Sequence, residues 1–264
     1  MKALALDFDG VICDSGREVY VTALRTFVAM HPRCRWRGKL AAIDAAGSAG
    51  TYDFLSDPDY HAFLDLQPLG NRAEDFGVAL KICEKKEIID NQEDYYAYIK
   101  AQDHGWLRTF HRSFYDARIA FRASAEDSWL TLHRAYDPFV ELLRRHAATI
   151  PLAIVTAKDR DSVQRLLDHM GIGALFSPDR ILDKETGRHK TAHLRALSQR
   201  AAVSLDAITF VDDKVNHLQG VASLGVRCVL AGWGYNSQRE WRIAEAERFP
   251  VATLESAEAI LFDT

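Results

Sequence analysis

Cysteine, positive charge and long apolar runs are the scarce features of this chain. Its 264 residues hold four cysteines, Cys13, Cys34, Cys83 and Cys228, widely spaced, with no CxxC pair and no zinc-finger spacing. That pattern favours reduced thiols in a cytoplasm and argues against structural zinc. Lysine and arginine number 33 against 37 acids, a formal charge of −4. A global attraction to nucleic acid or to an anionic membrane is therefore absent, and neither is an expected partner. No apolar stretch approaches the roughly 18 residues that a membrane span requires. The short apolar run at the N-terminus is cut by Asp7 and Asp9 before it could form a signal-peptide core. A cytoplasmic protein with no removed leader is the expectation.

What is present falls into two patterns. From about residue 137 onward, short apolar runs alternate with amphipathic stretches: "PLAIVT" then "RDSVQRLLDHMG", "AITFVDD" then "VNHLQGVASLG", "VRCVLAG" then "SQREWRIAEAE". Strand followed by helix at this spacing predicts a parallel sheet with helices on its faces. Gly171 and Gly225 stand where two of these helices should stop. Residues 15–135 read instead as helices, in stretches such as "REVYVTALRTFVAM" and "EDFGVALKICEKK", broken at "DAAGSAGTYDFLSDPDY" and "QPLGN". The expected fold class is α/β, a Rossmann-like three-layer parallel-sheet core of residues 1–14 and 136–264, with a mostly helical unit of residues 15–135 inserted after the first strand.

Three strands of that core end in polar residues. "KALAL" ends in Asp7-Phe8-Asp9-Gly10, "LAIV" in Thr156-Ala157-Lys158, and "AITFV" in Asp212-Asp213. Ligands of open parallel sheets bind beyond the carboxyl ends of the strands. If the three strands are neighbours, Asp7, Asp9, Thr156, Asp212 and Asp213 converge. Four carboxylates repel one another unless cations offset them, which suits a hard divalent ion such as Mg²⁺. Lys190, in "GRHKTAHLRAL", adds positive charge at a helix start. Such a set suits a phosphate monoester.

Taken in order, "DFDGVICDS", "IVTAKD", "GRHK" and "FVDDKVNHL" resemble the four motifs of the haloacid dehalogenase superfamily, over residues 1–15 and 137–235. The resemblance implies a phosphatase rather than a dehalogenase, because Asp9 supplies an acid that the dehalogenases lack. It implies Asp7 as the nucleophile that becomes an aspartyl phosphate, and Asp9 as general acid and base. Thr156, Ala157 and Lys190 would bind the phosphoryl group. Mg²⁺ would be held by Asp7, the Asp9 carbonyl, Asp213 and Asp212. The fourth motif departs from the commonest family pattern, having His217 where a further acid is usual. Lys184 and Lys158 are alternatives to Lys190 as the motif lysine. The helical insert stands where the family carries its cap; "QPLGNRAEDFG" either presents Arg72 as a substrate contact or is an ordinary interhelical loop, the second being preferred.

Other residues have simpler readings. Asp14 and Ser15 read as caps of the first helix, Cys13 as a small core residue, and His189 and His193 as surface histidines rather than a zinc pair. "GWLRTFHRSFYDARIAFR" is either an anion- or ring-binding face or an amphipathic helix with solvated arginines, the second being preferred. Gly232-Trp233-Gly234-Tyr235 reads as a tight structural loop near the site. The expected substrate is a small phosphorylated metabolite. A phosphomutase and a non-catalytic phosphate-binding regulator on the same fold are the alternatives.

Overall fold

A computed structural model describes residues 2–46, 51–70, 72–187 and 189–262. Part of the predicted breaker at 47–50, Asn71 of "QPLGN" and Arg188 of "GRHK" lie outside the described residues. The chain separates into two compact units, Met1–Asp14 with Arg134–Thr264, and Ser15–His133.

The first unit is built on a six-stranded sheet. Its strands are β1 (Ala3–Leu6), β4 (Leu152–Val155), β5 (Ile181–Leu182), β6 (Ile208–Asp212), β7 (Arg227–Ala231) and β8 (Val251–Ala252), while the short pair β2 (Cys13–Asp14) and β3 (Arg134–Ala135) forms a separate antiparallel ribbon. The order across the large sheet is β5-β4-β1-β6-β7-β8, and every pairing in it is parallel. The parallel arrangement expected from the sequence has a reason visible in burial. Every residue of β1, β4 and β6 is buried, so both faces of the sheet are covered and the strands read as continuous apolar runs rather than alternating ones. One face packs Ala3, Ala5, Val155 and Phe210 against Leu194, Leu197, Leu218 and Val221. The last four belong to the helices Lys190–Ala201 and Val215–Ala222. Full burial of each such aliphatic side chain contributes roughly 1.5–3 kcal/mol.

The second unit is helical, and no strand occurs among its described residues. Helices Gly16–Met30, Ala73–Lys85 and His104–Ser124 form its centre. Tyr20, Phe63, Phe110, Phe114 and Trp129 are fully buried there. Within this core Glu18 is also buried, held by Arg118 through two bonds of 2.9 and 2.7 Å and by the Thr22 hydroxyl at 2.8 Å. The arginines of helix His104–Ser124 therefore divide: Arg108 and Arg112 are solvated as expected, whereas Arg118 neutralises a buried acid. Arg72 lies in this unit, its side chain exposed and its backbone N–H bonded to the Asp75 carboxylate at the start of Ala73–Lys85.

Candidate active site

Strand register brings the polar strand ends together. Leu6 pairs with Ile154 on one side and Val211 on the other, and the Asp7 N–H continues the ladder to the Val211 carbonyl at 2.9 Å. Asp7, Thr156 and Asp212 consequently leave three adjacent strands at one rim of the sheet. Past Asp7 the chain turns sharply, with the Gly10 N–H bonding the Cys13 carbonyl at 2.8 Å. Gly10 has φ +83°, and a Cβ there would overlap the Asp213 carboxylate.

Lys190 ties the strand ends together. Its ammonium lies 2.9 Å from Asp7 Oδ1 and 3.2 Å from Asp212 Oδ2, and it donates to the Val155 carbonyl at 2.7 Å. Lys184 is not brought there: its half-exposed ammonium lies 3.9 Å from Glu185. Asp7 Oδ1 also accepts the Phe8 N–H at 2.7 Å, which leaves Oδ2 without a bond among the described residues. Thr156 is buried, its hydroxyl oxygen accepting the Lys158 N–H at 3.1 Å, and Ala157 beside it is exposed.

Each remaining acid has its own basic partner. Lys158 contacts both oxygens of Asp9, at 2.8 and 3.1 Å, so this lysine serves the first motif from the end of β4. Asp213 accepts the Tyr235 N–H at 2.9 Å and lies 3.7 Å from the Lys214 ammonium, which itself donates to the Tyr235 carbonyl at 3.2 Å. His217 Nδ1 stands 3.1 Å from both oxygens of Asp212. Four acids at one rim call for offsetting charge, and beside any divalent ion the fold supplies three ammonium groups and an imidazole.

These contacts set unequal proton affinities. Burial pushes Asp7 up to about 7, against the pull of Lys190. Burial likewise raises Asp213 to about 6, opposed by Lys214. Asp212 is as deeply buried, yet His217 and Lys190 outweigh that cost and hold it well below the usual carboxylate range. Burial disfavours the charged form of Lys190, but Asp7 and Asp212 more than compensate and raise it. Donor atoms of Asp7, Asp212 and His217 lie within 4.8 Å of one another, the group of three among the described residues suited to a metal ion. Two buried carboxylates and an imidazole are a reasonable donor set for a divalent cation.

Several local readings change. Ser15 holds the N-cap position of helix Gly16–Met30, and Asp14 beside it accepts the Tyr235 hydroxyl at 2.8 Å. His193 is buried, not at the surface, with Nε2 against the Asp183 carbonyl at 2.8 Å; burial lowers its basicity and keeps it neutral. His189 is exposed. Cys13 is buried, as a core residue should be. The Gly232–Tyr235 loop does more than turn: Gly234 packs on the Gly10 carbonyl and the Asp213 side chain, and the Trp233 indole donates to the Val11 carbonyl at 3.0 Å. Lys214 and the Tyr235 N–H were missed as site components. For Lys214 the signal was its adjacency to the Asp212-Asp213 pair; for Tyr235 no local signal existed.

A family profile described as haloacid dehalogenase-like hydrolase matches residues 1–225. Tyrosine-protein kinase PtkA of Mycobacterium tuberculosis and of Mycobacterium bovis is 28% identical over 129 residues, 46% of this chain and 42% of that protein's length. Among solved structures, the haloacid dehalogenase-like family protein SP0104 of Streptococcus pneumoniae superposes with TM-score 0.62 at 14% identity, covering 100% of this chain and 99% of that one. A predicted phosphoglycolate phosphatase of Haemophilus somnus superposes with TM-score 0.60 at 18% identity, covering 98% and 97%. No helix among the described residues is long and apolar enough to cross a membrane.

Proposed function

Because this chain belongs to the haloacid dehalogenase-like hydrolases, we propose that it is a phosphatase hydrolysing a small phosphomonoester through an aspartyl phosphate on Asp7. The observation that supports this most is the open Asp7 Oδ2, on a buried carboxylate whose other oxygen is fixed by Lys190 and the Phe8 N–H. A fixed, half-satisfied carboxylate is pre-oriented for attack.

In the proposed reaction Asp7 Oδ2 bonds to phosphorus as the ester P–O bond breaks. Asp9 gives a proton to the departing alkoxide, then takes one from the water that attacks the aspartyl phosphate, releasing inorganic phosphate and restoring Asp7. The Thr156 hydroxyl donates to a phosphoryl oxygen, and Lys190 offsets negative charge on that group and on Asp7. Lys158, paired with Asp9, favours the carboxylate form that activates water. A divalent cation such as Mg²⁺, held by Asp7 and Asp212 with Asp213 and the Asp9 carbonyl nearby in sequence, would further neutralise the phosphoryl oxygens. The helical unit Ser15–His133 is proposed as the cap that selects the leaving group, with Arg72 a contact to it.

The experiment is a phosphate-release screen over phospho-acids, including phosphoglycolate, sugar phosphates and nucleotides, with Asp7→Asn as blank. Release that Asp7→Asn abolishes is expected; release that persists in the variant overturns the mechanism. Transfer to a second hydroxyl instead of water uses the same residues, and the partial likeness to PtkA, named for transfer to tyrosine, favours testing it. Phosphorylated product appearing without free phosphate would replace the phosphatase reading with a mutase or kinase one. Cation and phosphate binding without turnover across the panel would replace it with a phosphate-binding regulator.

A further inference from the structure

The resemblance of "FVDDKVNHL" to the fourth motif puts His217 where the commonest pattern has a further acid. We infer that His217 is a metal-ligating residue, and that its imidazole shifts the site's preference from Mg²⁺ toward Mn²⁺ and Co²⁺. The inference rests on the proposed cation site and deepens it.

Geometry and chemistry both point this way. His217 lies in the first turn of helix Val215–Ala222, directly after the strand that delivers Asp212. Helical placement turns its ring back over the strand end, so that Nδ1 reaches both Asp212 oxygens at 3.1 Å while the side chain stays 27% exposed. Two ligands at right angles on an ion with bonds of roughly 2.1 Å stand about 3 Å apart. Asp212 and His217 already have that spacing, and Asp7 completes the group within 4.8 Å.

Asp213, expected from the sequence to hold the metal, is differently employed. Its Oδ2 accepts the Tyr235 N–H, and the backbones of Gly10 and Gly234 press on its side chain. It does not join the Asp7–Asp212–His217 group. Exchanging a carboxylate for an imidazole changes selectivity in a known direction. Mg²⁺ demands oxygen ligands, whereas imidazole nitrogen favours first-row transition metals.

The test compares wild type, His217→Asp, His217→Gln and Asp7→Asn, with metal alone as probe and circular dichroism to check folding. Calorimetry gives Kd for Mn²⁺ and for Mg²⁺, and pulsed electron paramagnetic resonance of the Mn²⁺ form reports any directly bound ¹⁴N. Wild type should show imidazole ¹⁴N coupling and bind Mn²⁺ more tightly than Mg²⁺. Both His217 variants should lose the coupling, and His217→Asp should narrow the Mn²⁺-to-Mg²⁺ preference by about tenfold or more. Mn²⁺ bound in an Asp7-dependent way without ¹⁴N coupling, or a preference unchanged in His217→Asp, overturns the role of His217 and leaves the cation site standing. Absence of Mn²⁺ and Mg²⁺ binding in folded wild type overturns both.

Discussion

Asp9 and Lys158 show how a single side chain sets the chemistry of another. Lys158 is buried, and both its contacts to Asp9 are short, while Asp9 is itself one-third exposed toward solvent. An ammonium in that position stabilises the charged carboxylate, the form the proposed base uses on water. Replacement by Met, which keeps the stem and removes the charge, should slow breakdown of the aspartyl phosphate more than its formation. Rapid-quench kinetics of Lys158→Met should show a burst followed by turnover reduced on the order of 10²-fold. Equal slowing of both phases would mean that Lys158 acts on phosphate binding instead. The lysine was visible in "TAKD", but its partner was not, because 149 positions separate the two in the chain.

At the scale of elements, the loop after β7 is as much part of the site as the strands. Gly234 brings its backbone against the Gly10 carbonyl and the Asp213 side chain, leaving no room for a Cβ. Gly234→Ala should push the two turns apart, free Asp213 from the Tyr235 N–H and lower stability by about 1–3 kcal/mol. Urea denaturation measures the loss, and an unchanged midpoint would contradict the packing. In the helical unit, Arg118 and Glu18 link helices Gly16–Met30 and His104–Ser124. Arg118→Met leaves Glu18 buried without its cation, which should cost about 3 kcal/mol in denaturant unfolding. The same variant tests whether this helix is a ligand face. A change in substrate KM with stability intact would restore the anion-binding reading.

Over the whole molecule, the buried acids make stability depend on pH. Asp7 and Asp213 titrate at about 7 and about 6 when folded, against 3.8 for an ordinary aspartate. Between roughly pH 4 and 7 the native protein binds protons that the unfolded chain has released. Stability of the metal-free protein should therefore fall as pH rises through that window, by up to a few kcal/mol. Asp212, held low, acts oppositely, and its contribution is lost only as pH drops below about 4. Urea midpoints at pH 5 and pH 7.5 test this: the metal-free wild type should weaken across the interval, and Asp7→Asn should flatten the slope. A midpoint that rises between those values would count against the buried-acid assignment. Added Mn²⁺ should restore stability most at the higher pH, since a cation at one hundred times its Kd contributes about 2.7 kcal/mol.

Amino-acid order alone determined the α/β core, the helical insert and which residues end the strands. Those features are written in local periodicity: continuous apolar runs for doubly covered strands, a 3.6-residue repeat for helices, and acids placed where a run stops. It also put Asp7, Asp9, Thr156 and Asp212 in line for one site, because strand ends of a parallel sheet share a rim. Tertiary structure decided the pairing: Lys190 rather than Lys184 on Asp7, Lys158 on Asp9, the Tyr235 N–H and Lys214 on Asp213, and His217 on Asp212. Each partner reaches its acid through strand order and loop path, which periodicity does not encode. The choice matters physically, since a buried carboxylate takes its charge state from the one cation or N–H that the fold sets within about 3 Å.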